Sequence, residues 1–208
     1  MIVDFKEVIP DKTLPRFNCQ KRFWTAPAKL VVEKVNNFYV ISYDIELVKG
    51  RFRKYSMQVP SRVVIDSKFL VALAMYTCEG RNPNKGVYTN SSANKGRYLS
   101  IINSDSRIIK FVIDEFESKL GIERNRWKYR LTLFSNQNVE KEKNWWSRSL
   151  KIKKGRFVIA EVVPGNKEKV TYASHGRCSA ELSSVIHAAI IYNLCEKLLN
   201  NTLLKENF

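Results

Sequence analysis

The alternation of apolar and polar residues is clearest in Trp127–Leu133, where every second residue is apolar and the residues between are Lys, Arg and Thr. A period of two predicts a β-strand with one buried and one exposed face. Helical spacing is found instead between Ser104 and Gly121, with Ser104 as the expected N-cap and apolar residues on one side. Residues 183–199 are apolar almost all round, which predicts a buried helix.

The N-terminal part of the chain has the pattern of a small β-meander. Leu30–Val32, Phe38–Val48 and Arg51–Val59 have strand character, and turn residues separate them at Asn36-Asn37 and Lys49-Gly50. Basic and aromatic residues interleave at the start of the third strand. That interleaving is typical of phosphate contact combined with base stacking, and equally of an edge strand protected by charge.

The remainder alternates helices and strands. The predicted order is helix, two strands, helix, strand, helix, two strands, helix, over the segments 66–78, 81–103, 104–121, 127–133, 138–149, 156–172 and 183–199. Asp66 is the expected N-cap of the first helix. We therefore expect an α+β fold, with a β-rich module over residues 1–60 and a second domain over residues 61–208.

The net charge indicates the kind of partner. The 208 residues include 36 basic and 20 acidic side chains, a formal excess of +16. This excess is spread over both predicted domains and is not confined to a tail. A distributed positive charge of this size favours a polyanionic partner, first nucleic acid and second an acidic membrane surface.

Other classes of protein are not favoured. The four cysteines have no metal-site or disulfide spacing, and two histidines are too few for a zinc or HNH site. The chain has no P-loop or Rossmann glycine pattern, so no small-molecule cofactor is expected. The first residues lack a signal-peptide pattern, and no apolar run approaches the ~20 residues of a membrane span. We expect a cytoplasmic protein without a membrane partner.

The segment Ala72–Gly80 combines small and apolar residues and ends in an acid and a glycine. Ala74 and Cys78 lie four residues apart on one helix face, where small side chains let two helices approach closely. Glu79 falls in the last turn, where the helix dipole disfavours an anion, so a divalent cation is a candidate partner. A core helix with a solvated Glu79 and a glycine C-cap is the alternative.

These nine residues resemble the LAGLIDADG motif of homing endonucleases, with Glu79 at the position of the metal-binding acid and Gly80 as the closing glycine. The turn Asn103-Ser104-Asp105, between a strand and a helix, extends the similarity to archaeal-type members. It covers roughly residues 62–200. The resemblance implies an αββαβ(α)ββα domain with a saddle-shaped antiparallel sheet.

The resemblance also implies a site. One copy of the motif in the chain implies a homodimer, with Ala74, Met75 and Cys78 at the interface. Glu79 and the backbone carbonyl of Cys78 would bind Mg²⁺. Asp105 falls near the family's water-positioning residue, and the alternative for it is an acid in the first turn of a helix.

Double-stranded DNA is the partner that the resemblance implies, bound on the helix-free face of the sheet. Basic and polar residues alternate with core residues on two predicted strands, and others bracket the hairpin at residues 81–97. The candidate DNA-binding residues are Arg81, Lys85, Arg97, Lys128, Arg130, Thr132, Lys151, Lys153, Lys169 and Thr171. Lys151 or Lys153 is also a candidate for the basic residue near the metal. A solvated strand face is the alternative.

Two functions are therefore expected. The first is a homodimeric LAGLIDADG-type endonuclease that recognises a double-stranded DNA sequence and cleaves it with Mg²⁺. The second is a catalytically inactive nucleic-acid-binding protein of the same fold, which acts in transcription or RNA splicing. The retained Glu79 and Gly80 favour the enzyme, whereas the divergent start of the motif and the basic β-module favour the binding protein.

Overall fold

The fold is α+β, as the sequence predicts. A computed structural model describes residues 1–9, 30–48, 51–80, 99–164 and 174–200, which form nine strands in three sheets and four α-helices. The strands are β1 (Ile2–Asp4), β2 (Leu30–Val35), β3 (Phe38–Val48), β4 (Arg51–Pro60), β5 (Arg62–Val64), β6 (Leu99–Asn103), β7 (Trp127–Phe134), β8 (Phe157–Val163) and β9 (Arg177–Leu182). The helices are α1 (Ser67–Glu79), α2 (Ser106–Leu120), α3 (Val139–Leu150) and α4 (Val185–Leu199).

Some predictions fall on other parts of the chain. The predicted hairpin over residues 81–97 and the predicted strand at 169–172 lie outside the described residues. The candidate DNA-binding residues there are Arg81, Lys85, Arg97, Lys169 and Thr171. Among the helices that the structure describes, none has the length and apolar character needed to cross a membrane.

The largest sheet has four strands in the order β6-β9-β7-β8. β9 runs antiparallel to both of its neighbours, and the sequence pattern did not predict this strand. The pair β7–β8 is parallel, so the prediction of a wholly antiparallel sheet is wrong for this pair. α3 connects the two strands and returns the chain to the end of the sheet at which β7 began, so β8 must run in the same direction.

The helices cover one face of this sheet. α1, α2 and α3 are neighbours in the helical layer, and α1 also contacts α4. β7 and β9 bury alternate residues beneath them, as Tyr129 and Leu131 of β7 illustrate with about 1% exposure or less. Phe116 of α2 meets Phe69 and Tyr76 of α1, with ring centroids 6.2 and 5.5 Å apart. The opposite face of the sheet carries Lys128, Arg130 and Thr132, which confirms the predicted alternation.

The predicted β-meander is present as β2, β3 and β4, paired antiparallel in sequence order. β1 pairs with β5, so the first residues of the chain are joined to the segment that enters α1. Phe5 and Val8 are fully buried in the same core as the helices. The domain boundary at residue 60 stays a prediction, with β1 and β5 paired across it.

Local capping fixes the start of two helices. Asp66 caps α1 as predicted, since its carboxylate accepts a hydrogen bond from the Phe69 amide at 2.9 Å. The predicted cap Ser104 is wrong for α2, whose N-cap is Asp105. The amide of Asp105 donates to Asn103 Oδ1 at 2.8 Å, and this turn sets Asp105, not Ser104, at the last extended position before the helix.

Candidate nucleic-acid interface

α1 carries apolar side chains on two faces. Phe69, Ala72, Leu73 and Tyr76 face the core and are buried. A second set, which we call the outer stripe, is turned away from the core except for Met75, which packs partly against it, and recurs at intervals of three and four residues. The outer stripe consists of Leu70, Val71, Ala74, Met75 and Cys78, all of which are exposed except for the half-buried Met75.

Exposure of the outer stripe is large for apolar residues. Leu70 is 43% exposed and Val71 is 45% exposed. A helix that is apolar on both sides is normally covered on both sides. Within the described residues the outer stripe has no such cover, so its sequence fits a surface that packs against another molecule.

Gly80 ends α1 and anchors it to the sheet. Its amide donates to the Tyr76 carbonyl at 2.7 Å, and its backbone forms a β-bridge with Ile101 of β6. A Cβ at this position would lie 2.4 Å from the Tyr76 carbonyl oxygen and 2.5 Å from the ring. The glycine is therefore required by the close approach of Tyr76, since its backbone is extended and not left-handed.

Glu79 lies directly before this anchor and is exposed. The adjacent Cys78 is also exposed, at the end of the outer stripe. The last carbonyls of a helix have no hydrogen-bond partner within the helix. The Cys78 carbonyl and the Glu79 carboxylate therefore place two potential metal-ligand oxygens on one short segment. Such hard oxygen ligands are the type that Mg²⁺ prefers.

One copy of the described chain does not build a metal centre from side chains alone. Across the residues that the structure describes, no three His, Cys, Asp or Glu side chains come together in a way that could hold a metal ion. A site at Glu79 would therefore need a second carboxylate from elsewhere.

Asp105 has a different role from Glu79. Its Oδ1 accepts from the Arg107 amide at 2.8 Å, and its Oδ2 accepts from Arg107 Nη2 at 2.6 Å. These hydrogen bonds from Arg107 hold the pKa of the carboxyl below its usual value. Both oxygens are occupied at the start of α2, so the geometry matches the structural alternative for Asp105.

The helix-free face of the four-stranded sheet presents the predicted residues of β7. Lys128 and Arg130 are exposed, and Thr132 is half-buried. Across the strands, Thr132 is paired with Arg177 of β9, a further exposed basic residue that the sequence pattern did not single out. The face is open and basic along β7 and the start of β9.

Acidic residues share this face, which sequence reasoning missed. Glu181 lies opposite Lys128, and Glu161 lies opposite Thr132. Glu181 accepts a hydrogen bond from Arg130 Nε at 3.1 Å and another from Ser179 at 3.2 Å. The guanidinium of Arg130 is thus held in the plane of the sheet by an ion pair on the surface.

Lys151 and Lys153 are exposed and lie between α3 and β8. β8 is one edge of the four-stranded sheet and β6, where Gly80 is anchored, is the other. With strands about 4.8 Å apart, these edges are separated by roughly 14 Å. The position of both lysines suits contact with DNA outside the metal site better than a role beside Glu79 of the same subunit.

Arg53 and Tyr55 of β4 are engaged with each other. The guanidinium of Arg53 lies 5.3 Å from the ring centre of Tyr55, and Tyr55 stacks on Tyr43 at 5.4 Å with the rings nearly parallel. This cation–π and stacking ladder stabilises the hairpin of β3 and β4. The edge-strand alternative is the one that this geometry supports.

A groove separates the C-terminal halves of α1 and α4. It is lined by Tyr76, Thr77, Ile191, Tyr192, Cys195, Glu196 and Leu199. Thr77 contacts Cys195 across it, with Oγ1 3.6 Å from the sulfur. The burial of Cys195 raises the pKa of its thiol, so this sulfur is a packing group.

Comparison with known proteins does not assign the chain to a family. No protein-family model matches the chain, and no curated protein gives a significant match.

Proposed function

We propose that this chain is a LAGLIDADG-type endonuclease that binds double-stranded DNA and cleaves it with Mg²⁺ as a homodimer. The observation that carries the proposal is the outer stripe of α1, which is apolar, exposed and followed directly by the exposed Glu79. One partner molecule that packs on the stripe would explain both the exposed apolar side chains and the position of the acid directly after them.

The partner that fits best is a second copy. A two-fold axis along the outer stripe pairs each residue of the stripe with residues of the same stripe. The small side chains of Ala74 and Cys78 allow the two helices to approach closely. The same axis brings two Glu79 carboxylates toward each other, which supplies the second acid that a single chain lacks.

DNA is the substrate that fits the sheet. Lys128, Thr132 and Arg177 face outward from neighbouring strands on a face without helices, and a two-stranded ribbon fits the major groove. Mg²⁺ at Glu79 would polarise a phosphate oxygen and activate a water for attack. The chain itself contributes the carboxylate, the carbonyl of Cys78 and the basic residues that hold the phosphates.

A specific observation favours the inactive binding protein as the second candidate. Asp105, which the resemblance places near the attacking water, is bound to Arg107 through both oxygens. A protein of the same fold that binds nucleic acid without cleaving it would need the sheet but would not need a free acid there.

Cleavage of a plasmid library with a randomised target tests the two candidates. We expect double-strand cuts in wild type that require Mg²⁺ and disappear in Glu79→Gln, which keeps the size of the side chain and removes its charge. The variant should bind DNA as tightly as wild type. Glu115→Gln, which alters a partly buried acid on α2, is the matched control and should still cut.

The outcomes separate the proposals. Tight, salt-sensitive binding without metal-dependent cuts would overturn cleavage and support the binding protein. Cuts that persist in Glu79→Gln would remove Glu79 from the site. Failure to bind either DNA or RNA at low salt would overturn both candidates.

A further inference from the structure

A histidine and a buried glutamate meet at one end of the four-stranded sheet, away from α1. His175 precedes β9, and Glu142 lies near the start of α3. The Nδ1 atom of His175 is 2.7 Å from Glu142 Oε2. The side chain of Glu142 is only 6% exposed, whereas that of His175 is 28% exposed. The carboxylate is almost removed from water, and the ring keeps an open side.

The ring is held on several sides. Trp145 stacks on it with centroids 3.8 Å apart and an angle of 12° between the planes. The indole Nε1 of Trp146 donates to the His175 carbonyl at 2.8 Å. Gln137, in the turn after β7, donates to the carbonyl of Ser174 at 2.8 Å. The position of the imidazole is therefore fixed before any ligand arrives.

The turn that carries His175 is pinned to the sheet. Gly176 has a φ of +71°, and a Cβ there would lie 2.5 Å from the Thr132 carbonyl oxygen. No other residue fits this combination of left-handed backbone and close approach. The next residue, Arg177, is exposed on the helix-free face beside Thr132. The turn that carries His175 thus lies at the end of the sheet, next to the face proposed to bind DNA.

The buried carboxylate decides which ring nitrogen is free. A carboxylate that is so little exposed to solvent needs a hydrogen-bond donor, and Nδ1–H of His175 is the donor that lies within reach. This fixes the orientation of the ring and leaves Nε2 as the nitrogen that does not face Glu142. Among the described residues Nε2 has no hydrogen-bond partner. When the ring carries both protons, its Nε2–H is a charge-assisted donor suited to an anion.

The charges around the ring agree with an anion. On α3, Glu142 forms the ion pair, and its neighbours in sequence are Lys141 and Lys143. The turn after β7 contributes the neutral Gln137, and β9 contributes Arg177. Within the described ranges, Glu142 is the acid that pairs with His175.

We propose that His175, held by Glu142, is a phosphate contact whose Nε2–H binds a phosphate oxygen of nucleic acid on the adjoining sheet face. The proposal rests on the proposed nucleic-acid binding and adds a contact outside the Glu79 site. Because the contact needs the imidazolium form, the affinity for nucleic acid should be higher in mild acid than in mild alkali.

Nuclear magnetic resonance of the histidine rings tests this contact in the wild-type chain. The chain has two histidines, and His187 is fully buried, with burial lowering its pKa to about 3. His175→Gln removes one of the two ring signals, so comparison with that variant assigns the signal of His175. We expect this signal to shift saturably with a short random-sequence DNA duplex, and to shift with inorganic phosphate alone.

The salt dependence of duplex binding gives a second readout. One phosphate contact changes the slope of log K against log salt by about 0.9. We expect the slope to be steeper by about that amount at pH 6 than at pH 8 in wild type. His175→Gln should remove the difference. Lys141→Gln removes a nearby exposed charge without touching the ring, and it should keep the difference between the two pH values.

The possible failures are distinguishable. Duplex binding with the same slope at both pH values, unchanged in His175→Gln, would overturn the contact and leave DNA binding by the sheet intact. Absence of duplex binding at either pH would overturn the proposed function. The phosphate titration would then show whether His175, held by Glu142, binds an anion. A His175 signal that shifts with neither probe would show that the contact between His175 and Glu142 only stabilises the turn.

Discussion

Two neighbouring helices, α1 and α2, use apolar residues in opposite ways. α2 buries one stripe, formed by Ile109, Val112, Ile113, Phe116 and Leu120, and its other side carries charged residues. Those charges are paired: Asp114 binds Lys110 and Arg124, and Glu117 binds Arg124 at 2.6 Å. The buried stripe and these ion pairs of α2 are all contacts within one chain.

α1 is not accounted for in this way. Its core stripe packs on α2, but the outer stripe with Leu70, Val71 and Ala74 is exposed. The comparison shows that contacts within one chain explain the apolar residues of α2. For α1 they explain only the residues that face the core. Under the proposed function, the other half of α1 is a surface for a second copy, and it ends at the acid that the resemblance places at a metal.

The largest effect is expected at the contact between the two core stripes. Phe116 is fully buried against Phe69 and Tyr76. Phe116→Ala should lower the free energy of unfolding by about 3–5 kcal/mol, because it removes an aromatic ring and leaves a cavity. Chemical denaturation checks this at two protein concentrations, and the loss should appear at both. A loss under 1 kcal/mol would contradict the account of α2 as a core helix.

The second effect concerns pH and the buried end of α2. His187 of α4 lies beside the backbone of Leu120, and burial, with a nearby Arg126, lowers its pKa to about 3. Below about pH 6.5 the unfolded chain binds a proton that the folded chain does not bind. The free energy of unfolding should therefore fall by up to about 1.4 kcal/mol per unit as the pH decreases from 6.5 to 4.5.

His187→Gln is the control for this pH dependence. The variant has no titrating ring at position 187, so its stability should change less over the same interval. An unchanged slope in the variant would assign the pH dependence to other groups and contradict the burial of a neutral His187.

A smaller effect is expected where the helices are joined at the surface. Asp66 caps α1 and forms an ion pair with Lys119 of α2 at 2.6 Å. Hydrogen bonds from Lys119 and from the Phe69 amide lower the pKa of Asp66. Asp66→Ala should lower Tm by about 2–4 °C, the usual cost of one helix cap in a chain of this length.

Asp66→Asn separates the two contributions, because an amide still caps a helix but forms no ion pair. We expect it to lose less than Asp66→Ala in a calorimetric scan. Equal losses would mean that the ion pair, and not the cap, fixes the start of α1.

The smallest effect on the isolated chain is expected on the outer stripe. Val71 is 45% exposed, so Val71→Lys should change the free energy of unfolding by no more than about 0.5 kcal/mol in dilute solution. At higher concentration the midpoint of wild type should rise by mass action, and that of the variant should not. A large loss at high dilution would show that Val71 is buried within one chain.

Local patterns in the sequence were enough to predict β7 and α2. Alternation gives the two faces of β7 without knowledge of its neighbours, and helical spacing gives the buried side of α2. Gly121 ends α2 with a φ of +67°, as a glycine after the last turn predicts. The choice between Ser104 and Asp105 as the N-cap was beyond the pattern, since both residue types cap helices well.

Contacts between distant residues could not be predicted. The direction of β8 depends on where α3 returns the chain. Arg130 and Glu181 are 51 residues apart, and Glu142 and His175 are 33 residues apart. For the candidate site, the sequence identified the segment with Glu79, but the exposure of the outer stripe became visible only when the core side of α1 was known.

The solution mass of the chain tests most directly the claim that the outer stripe is a homodimer interface. Sedimentation equilibrium should give the mass of two chains for wild type and of one chain for Ala74→Arg, whose long charged side chain would separate the helices. Lys68→Arg, an exposed change on α1 outside the stripe, should remain dimeric. A wild-type monomer at concentrations well above those of the cleavage assay would contradict the pairing of Glu79 across an axis.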